Sequence, residues 1–177
     1  MTMLGKSYIE LESSIAEIDT LTSDGFDLDQ YTQDLFDASR ATGIDTSTFS
    51  ENVYTALTAS IPEDMDMDFS MVAHKLATGG FTNEANAIDV LTTAINAYGY
   101  EVSDAMKISD LLIGTQDRGK TTVDELGKHL GDVIPIASDN NVSFEQLSAS
   151  MALLTRNGIG TARATTYVRS MLQELGR

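Results

Sequence analysis

The chain has 177 residues, of which 42% are hydrophobic, with no cysteine and a formal net charge of −16 at pH 7. That is apolar material for one sizeable core or two small ones, too much for a disordered tail; the missing Cys removes disulfides, thiolate metal sites and cysteine nucleophiles, and fits a reducing compartment. The longest stretches free of Asp, Glu, Lys and Arg run to 11 residues, as over 90–100, where a bilayer span needs roughly 20, so no membrane segment is expected, and residues 1–12 lack the basic and apolar regions of a signal peptide.

In chain order, apolar spacing near 3.6 predicts helices over 4–22, 28–42, 49–61 and 69–77. Pro62, followed by Glu63, Asp64, Asp66 and Asp68, is polar and helix-breaking. It suggests an N-terminal acidic helical subdomain at 1–61, an acidic linker at 62–68 and a helical core domain at 69–177. Residues 1–100 hold 17 acids against Lys6, Arg40 and Lys75, a balance of −14, and residues 101–177 a balance of only −2. A field of that sign repels phosphates and anionic headgroups, so direct nucleic-acid binding is not expected. It reads as a solubilising surface, or as a patch for a basic partner.

Further along, Ala87, Ile88, Leu91, Ala94, Ile95 and Tyr98 form a core-facing stripe, and Ala105, Ile108, Leu111 and Leu112 keep helical spacing. A helix near 122–132 contains Gly127 and Gly131, which weaken it. Phe144, Leu147, Met151 and Leu154 give a second stripe, and Ala164, Val168, Met171 and Leu175 a third. Near the C-terminus the spacing of Arg156, Arg163 and Arg169 suggests alignment on one helix face. Period-2 strand patterns are absent. The expected fold is all-α, a compact multi-helix bundle of roughly eight or nine helices with no sheet.

The punctuation repeats. Gly43-Ile44-Asp45-Thr46, Gly99-Tyr100-Glu101-Val102-Ser103, Asn141-Val142-Ser143 and Gly158-Ile159-Gly160-Thr161 each place Gly or Asn, then an apolar residue, then a hydroxyl. The expected geometry is a left-handed helix end, an apolar residue folded back onto the last turn, and Ser or Thr capping the next helix. The intervals are too irregular for a solenoid.

Three patterns invite a chemical reading. Gly114-Thr115-Gln116-Asp117-Arg118-Gly119-Lys120-Thr121 matches the phosphate-cradling G-x-x-x-x-G-K-[ST] in full. A working cradle follows a buried strand, whereas the residues before it are helical, so an interhelical loop is expected. Asp64, Asp66 and Asp68 open like a calcium loop, but Phe69 stands where Gly is needed and Lys75 where Glu is needed. His74 and His129 lie 55 residues apart without a zinc pattern. No catalytic, cofactor-binding or metal-binding residue is assigned, no cofactor is implied, and the expectation is a non-enzyme.

From about residue 75 onward the order of features resembles the core region of bacteriophage tail tape-measure proteins. It runs through Gly79-Gly80-Phe81-Thr82, Ala94-Ile95-Asn96-Ala97-Tyr98-Gly99, Gly119-Lys120-Thr121-Thr122, Glu125-Leu126, Leu130-Gly131-Asp132-Val133-Ile134-Pro135, Ala137, Val142-Ser143-Phe144-Glu145, Gly158-Ile159, Ala162, Thr165 and Leu172. Residues 38–59 resemble that family's helix-Gly-helix segment. The resemblance implies a structural role in tail assembly and tail-length determination. It implies tail-tube, tail-tip or tail-assembly chaperone proteins as partners, and a place in the virion tail after assembly in the host cytoplasm. Family members are usually much longer, so a fragment or a shortened prophage form is expected; a 177-residue globule has a radius of gyration of only about 16 Å and would be one module of a ruler. The alternative reading is an independent acidic helical adaptor for a basic host or phage protein.

Overall fold

The computed structural model describes residues 3–23 and 26–176, with side chains from residue 11 onward. Ten α-helices follow one another: α1 Met3–Asp19, α2 Leu28–Thr42, α3 Thr46–Thr58, α4 Asp66–Gly79, α5 Glu84–Tyr98, α6 Ala105–Arg118, α7 Val123–Leu130, α8 Ile134–Asp139, α9 Phe144–Arg156 and α10 Thr161–Leu175. A 3₁₀ turn at Val102–Asp104 leads into α6, and no strand occurs among the described residues. The all-α expectation is met, with one or two helices more than expected. The addition is α8, six residues long with Pro135 in its first turn, where a missing N–H costs nothing. It is too short to show a period.

The chain divides into two compact units, Met1–Met71 and Val72–Arg177. In the first, α3 packs against α1 and α2. Its core is Ile18, Tyr31, Leu35, Phe49 and Val53, lined by half-buried Leu57, Met67 and Met71. In the second, α5 packs on α6, α7 and α8, while α9 lies on α6 and α10 closes over α7, α8 and α9. Phe144, Leu126, Leu112 and Leu91 are fully enclosed.

Gly43, Gly99, Asn141 and Gly158 all adopt positive φ, between 56° and 88°. After three of them the apolar residue's amide donates back five residues: Tyr100 to the Ile95 carbonyl at 3.0 Å, Val142 to Ala137 at 2.9 Å, Ile159 to Leu154 at 3.2 Å. These are the bonds that close a helix end. The expected hydroxyl cap is correct only at Ser143, whose side chain accepts from the Gln146 amide. Asp45 caps α3, Glu101 caps the 3₁₀ turn, and Gly160 precedes α10 without a side-chain cap. Ser60 (φ 67°) and Phe81 (φ 53°) make the same left-handed turn without Gly or Asn. Composition gives no sign of them.

The third apolar stripe needs correction. Ala164, Val168 and Leu172 are buried, but Met171 is 51% and Leu175 73% exposed. Nor do the three arginines share a helix face: the turn through Gly158 separates Arg156 on α9 from α10, and Arg163 and Arg169, six residues apart, lie about 120° apart around α10.

Candidate functional site

The phosphate-cradle lookalike is the first place to look for chemistry. Residues 114–118 are the last turn and a half of α6, Gly119 ends that helix in extended backbone, and Thr122 caps α7 by accepting from the Glu125 amide. Two of the backbone amides a phosphate would need, and the Thr121 hydroxyl, are committed elsewhere. The Gly119 amide donates to the Thr115 carbonyl at 2.9 Å, and the Lys120 amide to Thr155 Oγ1 at 3.3 Å. Thr121 Oγ1 lies 2.8 Å from Thr161 Oγ1. Gln116 donates through Nε2 to the Gly79 carbonyl and accepts from the Val123 amide, tying the end of α4 to the start of α7.

Gly119 is required here by close approach. A Cβ at this position would stand 2.5 Å from Thr155 Oγ1 and 3.3 Å from the Ala152 Cα. The expected interhelical loop is confined to residues 119–122, seated on the end of α9, while residues 114–118 are helical, and the glycine at its start is explained by packing.

The calcium-like acidic stretch disperses. Asp64 and Asp68 are exposed, while Asp66 is buried at the start of α4 and accepts a hydrogen bond from the Tyr31 hydroxyl. Its other oxygen, Oδ1, has no partner. Burial outweighs the Tyr31 bond and pushes the Asp66 carboxyl up to about 6. Burial and then the Asp66 carboxylate hold the Tyr31 phenol protonated. Glu63 turns away and accepts from the Ser23 amide at 2.7 Å and its hydroxyl at 3.2 Å.

The histidines are also separate. His74 Nδ1 lies 3.0 Å from Glu84 Oε1, and His129 Nε2 lies 3.9 Å from Glu125, one turn away on α7. Among the described residues no three His, Asp or Glu side chains converge in a metal-holding group.

Polar pairing within the second unit serves packing. The Tyr98 hydroxyl donates to the Val142 carbonyl at 2.9 Å, and its ring meets Phe144 edge-on and stacks on Tyr100. Burial pushes the Tyr98 phenol up to about 12. Lys107 sits over the Tyr100 ring and pairs with Glu145 at 2.9 Å, and that pairing holds the Glu145 carboxyl below the usual range.

The outside of the helices carries exposed basic and apolar groups. Arg118, Lys120, Arg156 and Arg163 are exposed around the junction of the α6–α7 and α9–α10 turns, and Leu153, Tyr167, Met171 and Leu175 are large apolar groups left in water. Of these, sequence periodicity singles out only Met171 and Leu175, and it assigns both to the core.

Among the described residues, ten helices joined by short turns, several of them closed by hydrogen bonds, define an all-α helical module. The chain belongs to the phage-related minor tail protein family, whose model matches residues 32–177. It is similar to a probable tape measure protein of Clostridium phage phiCD119 (strain Clostridium difficile/United States/Govind/2006), with 37% identity over 177 residues. The match takes in 97% of this chain and 19% of that protein, so the chain spans about a fifth of that relative's length. No solved structure matches the chain significantly.

Proposed function

We propose that the chain is a structural module of a tape-measure-type tail protein, contributing to tail assembly and tail-length determination through protein–protein contacts. The observation that carries this reading is the 37% identity to a tape measure protein over nearly the whole chain. The family match supports a structural role in the tail, and the engaged α6–α7 turn is consistent with a protein that does no nucleotide chemistry. Partners are tail-tube, tail-tip or tail-assembly chaperone proteins, met first in the host cytoplasm and kept in the virion tail. Helix faces bury apolar area against them, a contact that salt changes little.

In-frame removal of residues 72–177 from the phage-borne gene, read by electron microscopy of tails, is the test. Shortened or aborted tails are expected. Infectious tails of unaltered length, together with no cross-link from this segment to any tail protein, would overturn the proposal.

A second reading has one observation in its favour. Residues 1–71 carry 15 acids against Lys6 and Arg40, a field suited to an adaptor for a basic partner. Binding that collapses at high salt identifies the adaptor, and binding that persists identifies the tail contact.

A further inference from the structure

Along α10, Arg163, Tyr167, Met171 and Leu175 recur every four residues. Each step of four turns this ridge about 40° around the helix, so Arg163, Tyr167 and Met171 lie within about 80° beside the buried face made by Ala164, Thr165, Val168 and Leu172, and Leu175 lies about 120° from Arg163. At 1.5 Å rise per residue the ridge is about 18 Å long. Tyr167 and Met171 are each 51% exposed and Leu175 is 73% exposed. A helix that keeps Tyr167 and Met171 side by side in water, with Leu175 further round on the same ridge, is shaped for a partner helix.

The charges along the ridge say which partner. Arg163 stands at its N-terminal end, exposed and, among the described residues, outside the ion pairs that Arg40 and Arg169 make. Glu174 stands at the C-terminal end, about 20° from Arg163 around the helix. In two copies laid antiparallel, Arg163 of each meets Glu174 of the other, and Tyr167 of each lies against Met171, a favourable sulfur–aromatic pairing. Parallel copies would oppose like charges at both ends. Glu174 also has an interaction within its own chain, and the two oxygens of a carboxylate accept more than one donor.

We propose that α10 is a self-association surface, pairing antiparallel with α10 of a second copy about a two-fold axis between Tyr167 and Met171. This goes beyond the tail role and does not rest on it. A self-complementary patch is what a two-fold interface requires. One ridge covers less than the roughly 800 Å² per partner of a stable complex, so the dimer is weak and exchanges rapidly.

Sedimentation velocity of the intact chain over a wide concentration range tests it, with circular dichroism confirming that each variant keeps its helices. Met171→Asp is expected to weaken association about tenfold or more. Leu153→Ser, which removes a leucine from α9 that is more exposed than Met171, is expected to leave it unchanged. Arg163→Glu and Glu174→Arg should each weaken the dimer, and the double variant should restore it. A chain that stays monomeric throughout, an association lost in Leu153→Ser but kept in Met171→Asp, or a double variant no better than the single ones would overturn the proposal.

Discussion

The two units solve the same problem with unequal material. Residues 1–71 hold 15 acids and 2 bases, residues 72–177 hold 12 acids and 9 bases. The N-terminal core includes the Tyr31–Asp66 pair, and three of the four orphaned buried polar atoms found among the described residues, Asn52 Nδ2, Asp66 Oδ1 and Ser70 Oγ, belong to that unit. The C-terminal unit encloses Phe144, Leu112 and Leu126 and brings backbones close at Gly80 and Gly119. An unsatisfied buried polar group costs about 1–3 kcal/mol, and like charges on a small surface repel. The comparison teaches that an apolar pattern is enough to define a helical unit, while its resistance to opening depends on what else is buried.

The largest expected effect is in the C-terminal core. Phe144→Ala should destabilise by about 3–5 kcal/mol in denaturant unfolding, because the ring is fully enclosed and its cavity cannot collapse. A loss under about 1 kcal/mol would remove the claim that this unit is the tightly packed one.

Next comes the buried carboxylate. Asp66 has a folded value of about 6, above its ordinary 3.8. The folded form therefore holds the proton more tightly, and the group's stabilising contribution is complete below about pH 4 and lost as pH rises through about 6. Asp66→Asn should accordingly stabilise the N-terminal unit by about 2–3 kcal/mol at pH 7.5. That advantage should vanish by pH 4, as read by paired thermal melts. An advantage independent of pH would mean that the carboxylate is not held in an apolar setting.

Gly119→Ala should cost about 1–3 kcal/mol through overpacking against Thr155 and the Thr115 carbonyl. Adding Thr155→Ala should recover part of the loss, and no recovery would separate the turn from α9. The smallest effect is at Lys120, whose side chain is exposed and whose backbone amide makes the bond to Thr155. Lys120→Ala should shift stability by less than about 0.5 kcal/mol, and calorimetry with ATP and magnesium should show the same absence of heat in both proteins.

Much of this was legible in advance. The span of α2 follows from apolar spacing between Asp27, which caps it, and Gly43, which ends it in the left-handed conformation. The start of α3 at Thr46, three residues before the expected 49, was hidden because Asp45 rather than a hydroxyl is the cap. The α6–α7 turn was recognised as a turn from the helical residues before it. Its packing role was not recognisable, since Thr155 and Thr161 lie 35 and 40 residues further on.

By itself the sequence determined the all-α class, the acidic bias of the first half, the left-handed turns at Gly43, Gly99, Asn141 and Gly158, and the family. These are local or compositional properties, set by helical period, by the missing Cβ of Gly and by counting charge. Only the tertiary structure decided that Asp66 goes inside against Tyr31, that Gly119 is there to let two backbones approach, and that Met171 and Leu175 stay in water. Each of these depends on what lies beside the helix, and periodicity describes only the helix.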